Sequence, residues 1–507
     1  MKAPSLPQLA FSAISVLEHE ADIANYQGIE MFDLMSRAGE AVFAAIQSRY
    51  TANGLLIVAG KGNNAGDGYI VGARALAKGI RVRVVSFIEP EKLVGDAAKA
   101  AQAYMGMGGE VIHYDDASFL TADKLEGINL IVDAVFGIGF HGQLSEPYEA
   151  LFDRLNQLGL PIVSIDVPSG VNATTGQVAQ GAICATHTVS FIALKQGLLT
   201  GAARHYCGEL IFEGLTLAQA FCQRVTPQSY LQTQDNLPSL LPRKTHQHKG
   251  NIGLLVTIGG NAQMPGAIRL ASEAALRCGA PLVSVCCHTT SQAMVINQRY
   301  ELMLGDTNAT ALQKSRKLKD AKGVVIGPGL GRDDWAEAFF EQAILFEGLK
   351  VIDADALNLL AQKYPAGTTL HSAILTPHPK EAGRLLGKSV KDIEADRFEA
   401  VAAIAKKYHC ICVLKGAGTL VSDGQFTFIN QSGNAGMATG GMGDVLSGMI
   451  GALMLQTHDL FEATRLAVYL HGKAGDNIAL AQGSIGLLAS DLFPQLPQLL
   501  QNIYEPN

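Results

Sequence analysis

Charge is scarce in this sequence. Charged residues fill 17% of 507 positions, against about 25% in an average globular domain, while hydrophobic residues reach 48%. That balance excludes an extended disordered chain and places much of the surface in cores or interfaces. An excess of positive charge is also missing: the formal net charge is −7, which provides no basic field for a phosphate backbone, so no nucleic-acid partner is expected. No apolar run is long enough to span a bilayer. The opening MKAPSLPQLAF is broken by prolines and runs into Glu18, Glu20 and Asp22, unlike a secretory signal, so no membrane association is expected. The eight cysteines show no CxxC spacing and sit mostly in apolar runs, which reads as buried free thiols in a reducing cytoplasm. GxxxxGK[ST] is absent, so a Walker-type nucleotide site is not supported. No internal repeat or low-complexity tract interrupts the chain.

What is present is a repeated alternation of strand and helix patterns. A chain of 507 residues exceeds one ordinary core, and two domains fit it best. In the first half, strand-like runs occur at Leu55 to Ala59, Arg83 to Ile88, Leu130 to Val135, Pro161 to Ile165 and Thr188 to Ala193. Helical spacing between them predicts a parallel sheet covered by helices. Ahead of these strands, Leu17, Ile23, Met31, Leu34, Met35 and Val42 fall at helical spacing and predict helices packed on the sheet or on a partner subunit. The pattern lapses into polar residues with Pro227, Pro238 and Pro242, then resumes at Ile252 to Ile258. The expected organisation is a first domain over residues 1–225, a linker over 226–245 and a second α/β domain over 246–507. The second half has strands near Leu282 to Cys286, Val324 to Ile326, Val351 to Asp353, Ala373 to Leu375 and Ile411 to Leu414.

Ligands of open α/β sheets bind where strands end at their carboxyl side. In the first half these ends are polar: GKGNNAGDG (Gly60 to Gly68), Asp133 leading to GIGFHG (Gly137 to Gly142), and DVPSG (Asp166 to Gly170). Gly60, Gly62 and Ala65 match a dinucleotide fingerprint, with Glu89 at the next strand end, but that signal alone is weak. Asp67, expected within the first helical turn, opposes a pyrophosphate there. Asn64, Asp133 and Ser169 offer only oxygen ligands, which suits a hard, monovalent cation; each of them could equally cap a turn or a helix.

Through GKGNNAGDGYIVGAR, DAVFGIG and IDVPSG, the stretch from about Ser12 to Ala220 resembles the NAD(P)H-hydrate epimerases. The resemblance implies that Asn63, Asn64, Ala65, Gly66 and Asp67, together with Gly137, Ile138, Gly139, Phe140, His141, Gly142 and Gln143, and Asp166, contact the hydrated nucleotide. It also implies that Asn64, Asp133 and Ser169 hold K+. Ala65 stands where that family usually has glycine. Asp166, at a strand end, is the candidate to pass the proton that epimerisation requires.

In the second half, SGNAGMATGGMGDVLSGMIGALML passes from small, turn-forming residues into a long apolar helix. Gly440, Gly441 and Gly443 let amides at a helix N-terminus form a hole for phosphate oxygens. Asp444 in the first turn is placed to deprotonate an attacking hydroxyl, with its ionised form favoured by the helix dipole; the alternative is that it only stabilises the helix. VLKGAGTLV puts a glycine-bearing turn, Lys415 to Thr419, after a strand. GPGLG and TPHPKEAGRLLG also follow strands, the latter offering His378, Lys380 and Glu381 in a segment that Pro377 and Pro379 are expected to hold extended. Asp353 and Asp355 could organise magnesium or water, or cap the next helix.

These motifs, with MPGAIRLA and DADALN, resemble the ribokinase-like fold and within it the ADP-dependent NAD(P)H-hydrate dehydratases, over about Pro238 to Leu500. The resemblance implies that Ala267, Gly329, His378 and Asp444 contact the S hydrate. Lys415, Gly416, Ala417, Gly418, Thr419 and Gly443 would contact the adenine nucleotide, and Met442 replaces a common threonine. The fold expected from both halves is a Rossmann-like parallel-sheet domain followed by a ribokinase-like α/β domain. The activity expected is repair of NADHX and NADPHX: epimerisation of R and S forms, then ADP-dependent dehydration of the S form with release of AMP and phosphate, with Asp166 and Asp444 catalytic. Mg2+ is expected at the phosphoryl-transfer site, and the resemblance also points to a homo-oligomer. The competing readings are a vitamin or sugar kinase fused to a Rossmann-type oxidoreductase, and a first half that binds ligand without turnover.

Overall fold

The computed structural model describes residues 6–114, 120, 125–238, 240, 246 and 248–503. Two compact units divide the chain, Met1–Tyr230 and Leu231–Asn507. The strands of the first unit are β1 (Leu9–Phe11), β2 (Gly54–Ala59), β3 (Arg81–Ser86), β4 (Val111–His113), β5 (Leu130–Ala134), β6 (Ile162–Ile165), β7 (His187–Phe191), β8 (Leu194–Lys195), β9 (Glu209–Glu213) and β10 (Ser229–Gln232). Seven of them form a sheet in the order β4-β3-β2-β5-β6-β7-β9, and each pairing is parallel.

The two-residue period of a strand divides β2 between two cores. Leu55, Ile57 and Ala59 pack among residues of the helices Met31–Arg49 and Asn63–Ala77. Leu56 and Val58 join Leu151, Phe152 and Leu155 of the helix Glu146–Gln157 on the opposite face. This two-sided burial explains why the strand reads as an unbroken apolar run. Chain order reverses between β2 and β5, so the segments after these two strands open at a topological switch point, where such sheets bind ligands.

A small addition bears on the site. β1 pairs in parallel with β8, Phe11 opposite Lys195, and antiparallel with β10. Ser12 then caps the helix Ala13–Tyr26 by accepting from the Ser15 amide, which fixes where that helix starts relative to Lys195. A second helix, Met31–Arg49, follows after a turn with Gly28 at φ 69°.

The second unit contains β11 (Leu254–Ile258), β12 (Leu282–Cys286), β13 (Leu302–Leu304), β14 (Ala321–Ile326), β15 (Leu349–Ile352), β16 (Ala373–Leu375), β17 (Ile411–Leu414), β18 (Leu420–Ser422) and β19 (Thr427–Asn430). They run in the order β13-β12-β11-β14-β15-β16-β17-β18-β19. Pairing is parallel as far as β17 and antiparallel for the last two steps. The order reverses between β11 and β14, a second switch point. Helices Pro265–Arg277 and Met442–Leu453 cross so closely that a Cβ on Gly448 would stand 1.9 Å from the Ala271 carbonyl oxygen.

The observed strands agree with the expected ones to within a few residues. Strands β4, β13 and β18 lie outside the expectation, each a run of three that carries little pattern, although the equally short β16 was expected. The polar stretch expected to be a linker contains β10 and a 3₁₀ turn at Gln234–Asn236; its Pro242 lies outside the described residues. Among the described residues no helix is long and apolar enough to cross a membrane. All eight cysteines are free; Cys184 and Cys222 are half-buried and the rest buried.

Candidate active sites

At the first switch point a cavity of about 660 Å³ opens, within the usual range for a small-molecule site. Gly60 belongs to its construction: a Cβ there would lie 2.2 Å from the Val135 carbonyl oxygen, so the segments after β2 and β5 meet backbone to backbone. Asn63, Asn64, Asp67, Gly137, Ile138, Gly139, Phe140, His141, Gln143 and Asp166 line the cavity. Ala65, Gly66 and Gly142 are not among its walls. The Ala65 methyl is fully buried in the apolar core, and a Cβ on Gly66 would strike Met35, so both positions serve helix packing.

Asp67 needs correction. The helix starts at Asn63, which makes Asp67 its fifth residue, past the first turn. Its carboxyl is buried, and burial, followed by repulsion from Asp166 and Glu20, pushes it well above the usual carboxylate range. Glu89 is exposed, pairs with Lys92 and takes no part in the cavity.

Asp166 holds a backbone conformation rare for a residue with a side chain, φ 61°. Its carboxylate accepts from the Phe191 amide at 3.0 Å, from Ser190 Oγ at 3.3 Å and from the Lys195 ammonium. Lys195 also donates to the Phe191 carbonyl at 2.9 Å and is almost fully buried. Lys195 and Glu20 line the cavity and were both missed by reading strand ends. The visible signal for Lys195 was a lone cation inside the apolar run SFIALKQGLL. Glu20 sits on an amphipathic helix among other acidic residues, where nothing in the sequence distinguishes it.

The three oxygen-bearing residues expected to hold a cation do assemble. Ser169 Oγ donates to Asp133 at 2.5 Å and its amide to the other carboxylate oxygen at 2.8 Å, while Ser164 adds a third donor at 2.8 Å. The Phe136 amide donates to Ser169 Oγ at 2.8 Å, and the Asn64 side-chain amide donates to the Phe136 carbonyl at 3.1 Å. Asp133 is completely enclosed, and burial raises its pKa despite these donors. An all-oxygen set around a buried carboxylate fits a hard cation of low charge.

In the second unit the strand ends again meet through glycines. A Cβ on Gly327 would fall 1.8 Å from the Asp353 carbonyl oxygen, and one on Gly329, at φ 61°, would fall 3.1 Å from the Ala267 Cβ, so Gly329 and Ala267 are neighbours. Lys415 is expected to serve through its backbone, yet its side chain turns inward. The ammonium donates to Asp353 at 2.9 Å, lies 3.9 Å from Glu381, and is 3.3 Å from where a Cβ on Gly443 would be. Asp353 therefore makes no helix cap; it binds Lys415 and accepts from Ser447 Oγ at 2.6 Å. Asp355 instead accepts from the Gly331 amide at 3.0 Å.

The Lys415-to-Thr419 turn is shaped from beneath by buried Arg397, which donates to the Lys415 carbonyl at 3.0 Å and the Leu414 carbonyl at 3.3 Å. Gly416, at φ 140°, leaves room for that guanidinium, which a Cβ would approach to 2.9 Å. Thr419 Oγ1 closes the turn on the Gly416 carbonyl at 2.9 Å, and Gly418 takes φ 60°. His378 is the N-cap of the helix Pro379–Leu386, its Nδ1 accepting from the Lys380 and Glu381 amides. Pro379 thus begins a helix, and His378 before it is extended. Lys380 serves through its backbone.

Asp444 lies in the first turn of Met442–Leu453, behind Gly441 at φ 90°. Its ionisation departs from expectation. Burial, and then the negative charge of Asp353, raise it to about 7, although Lys415 opposes them; desolvation and like charge outweigh the dipole. Glu381 also rises to about 7, chiefly through burial. Met442 is buried in the core. Among the described residues no group of three His, Cys, Asp or Glu is arranged to hold a metal by itself.

Comparison with known proteins bears on both halves of the chain. The family described as YjeF-related protein N-terminus matches residues 31–197, and the NAD(P)H-hydrate dehydratase family matches residues 255–498. The chain is 42% identical to the bifunctional NAD(P)H-hydrate repair enzyme Nnr of Vibrio cholerae, covering 98% of this chain and 99% of that one. It is 40% identical to those of Coxiella burnetii, over 94% and 96% of the two chains, and Escherichia coli, over 98% and 95%. Among solved structures, an ADP/ATP-dependent NAD(P)H-hydrate dehydratase from Bacillus subtilis, co-crystallised with ATP/Mg2+, is 26% identical with a TM-score of 0.47, covering 53% of this chain and 99% of that one.

Proposed function

The chain belongs to the family of bifunctional NAD(P)H-hydrate repair enzymes, and from that premise we propose how its residues divide the work. The first unit interconverts the R and S hydrates of NADH and NADPH, with the cavity at the β2 and β5 ends receiving the damaged nicotinamide and Asp166 passing a proton. Asn64, Asp133 and Ser169 hold K+, with the Phe136 carbonyl beside them. When bound, that ion supplies the positive charge that buried Asp133 lacks. The domain reading is residues 1–225 and 246–507 joined by 226–245, supported by the contact division at Tyr230 and Leu231.

The second unit dehydrates the S hydrate with ADP. Asp444 removes the proton from the ring hydroxyl, whose oxygen attacks the outer phosphate of ADP, releasing AMP. The ring nitrogen's lone pair then expels inorganic phosphate, and loss of a proton from the adjacent carbon restores NADH or NADPH. Amides at the start of Met442–Leu453 and the Lys415 ammonium stabilise the charge that builds on phosphate. Lys415 to Thr419 and Gly443 contact the nucleotide; Ala267, Gly329 and His378 contact the hydrate. Mg2+ would be held mainly by the nucleotide's phosphates, with the carboxylates of Asp444 and Glu381 able to contribute, and would neutralise phosphate charge. Composition further supports a cytoplasmic protein without nucleic-acid contact, and the family resemblance supports a homo-oligomer.

The observation that carries this reading is Asp444 in the first turn of a glycine-led helix beside a fixed ammonium. The test is purified chain with S-NADHX and ADP. The near-ultraviolet absorbance of reduced nicotinamide should return with one AMP and one phosphate for each molecule repaired. A stable phosphoester without reduced nicotinamide would identify a kinase instead.

A further inference from the structure

One carboxyl group in the epimerisation cavity has no assigned role. Glu20 reaches the wall from the helix Ala13–Tyr26, which no expected contact includes. Among the described residues no hydrogen bond or ion pair engages its carboxyl, and its principal charged neighbours are Lys195 and Asp166. Its position is fixed from two sides: Ser12 caps the start of its helix, and β1, immediately before, is paired with β8 so that Phe11 stands opposite Lys195.

The charges around the cavity do not balance if every acid is ionised. Glu20, Asp67 and Asp166 face one buried ammonium, Lys195, which is committed to Asp166. Lys61, Asp96 and His141 also line the cavity, and Glu18, His19 and Asp22 share the helix with Glu20. In such a cluster Coulomb repulsion keeps protons on the carboxyls that lack a cation. Asp67, enclosed behind the first turn of its helix, is pushed well above the usual carboxylate range by burial. Burial brings Glu20 to about 7, where an acid both carries and releases a proton.

We propose that Glu20 is the catalytic acid of epimerisation and Asp166 the base, the two acting on opposite ends of the bond that breaks. Asp166 takes the proton of the carbinolamine hydroxyl. The C–O bond becomes C=O, the bond from that carbon to the ring nitrogen breaks, and its electron pair goes to nitrogen, which takes the proton of Glu20. After rotation of the aldehyde, nitrogen attacks its other face. Glu20 recovers its proton from nitrogen, and the new alkoxide recovers one from Asp166. No net proton, electron or co-reactant is consumed. Lys195 is a positioning residue: its bonds to Asp166 and to the Phe191 carbonyl hold the base in place.

This inference rests on the epimerase reading, so the test begins with the wild-type chain. Equal amounts of R and S hydrate with excess ADP should give a fast rise in reduced nicotinamide from S and a slower rise from R, after subtraction of the enzyme-free rate. Absence of the slower enzyme-dependent phase in wild type would defeat the epimerase reading itself. With that phase present, full-length Glu20→Gln should keep the S phase and slow the R phase by about a hundredfold or more. The wild-type R phase should fall as pH rises above neutrality, because the acid loses its proton, and the residual rate of Glu20→Gln should lack that fall. Glu20→Asp, which restores an acid, should recover part of the rate and the fall. An R phase in Glu20→Gln within about threefold of wild type would overturn the proposal. So would a slowed R phase that keeps the wild-type pH profile, or a Glu20→Asp enzyme as slow as Glu20→Gln.

Discussion

At the scale of single residues, the two sites share a device: carboxyls whose pKa burial raises, grouped around a single lysine. In the second unit Asp353 takes the Lys415 ammonium and its pKa falls, whereas Asp444 and Glu381 both rise to about 7. A base must be ionised before it accepts a proton. Dehydration should therefore gain in kcat/KM by about tenfold per pH unit below neutrality and level off above it, since that ratio reports groups of the free enzyme. Asp444→Asn should cost about a hundredfold to ten-thousandfold in kcat and abolish this acid-side slope, read by reduced-nicotinamide formation from the S hydrate. The sequence marks Asp444 by the glycines ahead of it. It does not mark the protonation, because depth and neighbouring charge come from segments far along the chain, as with the Ser447 bond to Asp353, separated by 94 positions.

At the scale of elements, glycines that look alike in sequence differ in use. Gly441, at φ 90°, begins the phosphate-facing helix. Gly448, two turns on, lets that helix lie against Pro265–Arg277, and an added methyl would meet the Ala271 carbonyl rather than a side chain that could turn aside. Gly448→Ala should therefore lower stability by about 1–3 kcal/mol through overpacking, despite alanine's better helix propensity. Denaturant unfolding would show it as a reduced midpoint with the slope unchanged. The same distinction holds in the first unit, where Gly60 and Gly62 both match a nucleotide fingerprint, yet a Cβ on Gly60 would meet the Val135 carbonyl and one on Gly62 would meet open space. Strand β2 was readable because burial on both faces leaves a continuous apolar run, and β14 only over its buried end, Val324 to Ile326; Val111–His113 is half-buried to exposed and has no such run.

At the scale of the whole molecule, two catalytic constellations stand on separate compact units. Substitutions in one should leave the other's chemistry unchanged, since distant sites without shared partners act additively. Asp166→Ala should lose the R phase of repair while converting S hydrate at the wild-type rate. Asp444→Asn should lose repair of both forms yet still exchange R and S, seen by chromatography of the hydrates without ADP. Loss of both activities in either variant would contradict the division of labour.

The sequence alone determined the alternation of strands and helices, the two-domain organisation, and most groups at the strand ends, because apolar period and turn chemistry are local properties written in consecutive residues. The tertiary structure alone decided which of those groups share a wall. It brought Glu20 and Lys195 to Asp166, turned Lys415 inward to Asp353, and moved Asp67 behind the helix start. The reason is physical: proximity across a sheet and the loss of water around a charge depend on where distant segments pack, and neither is encoded in any single stretch of chain.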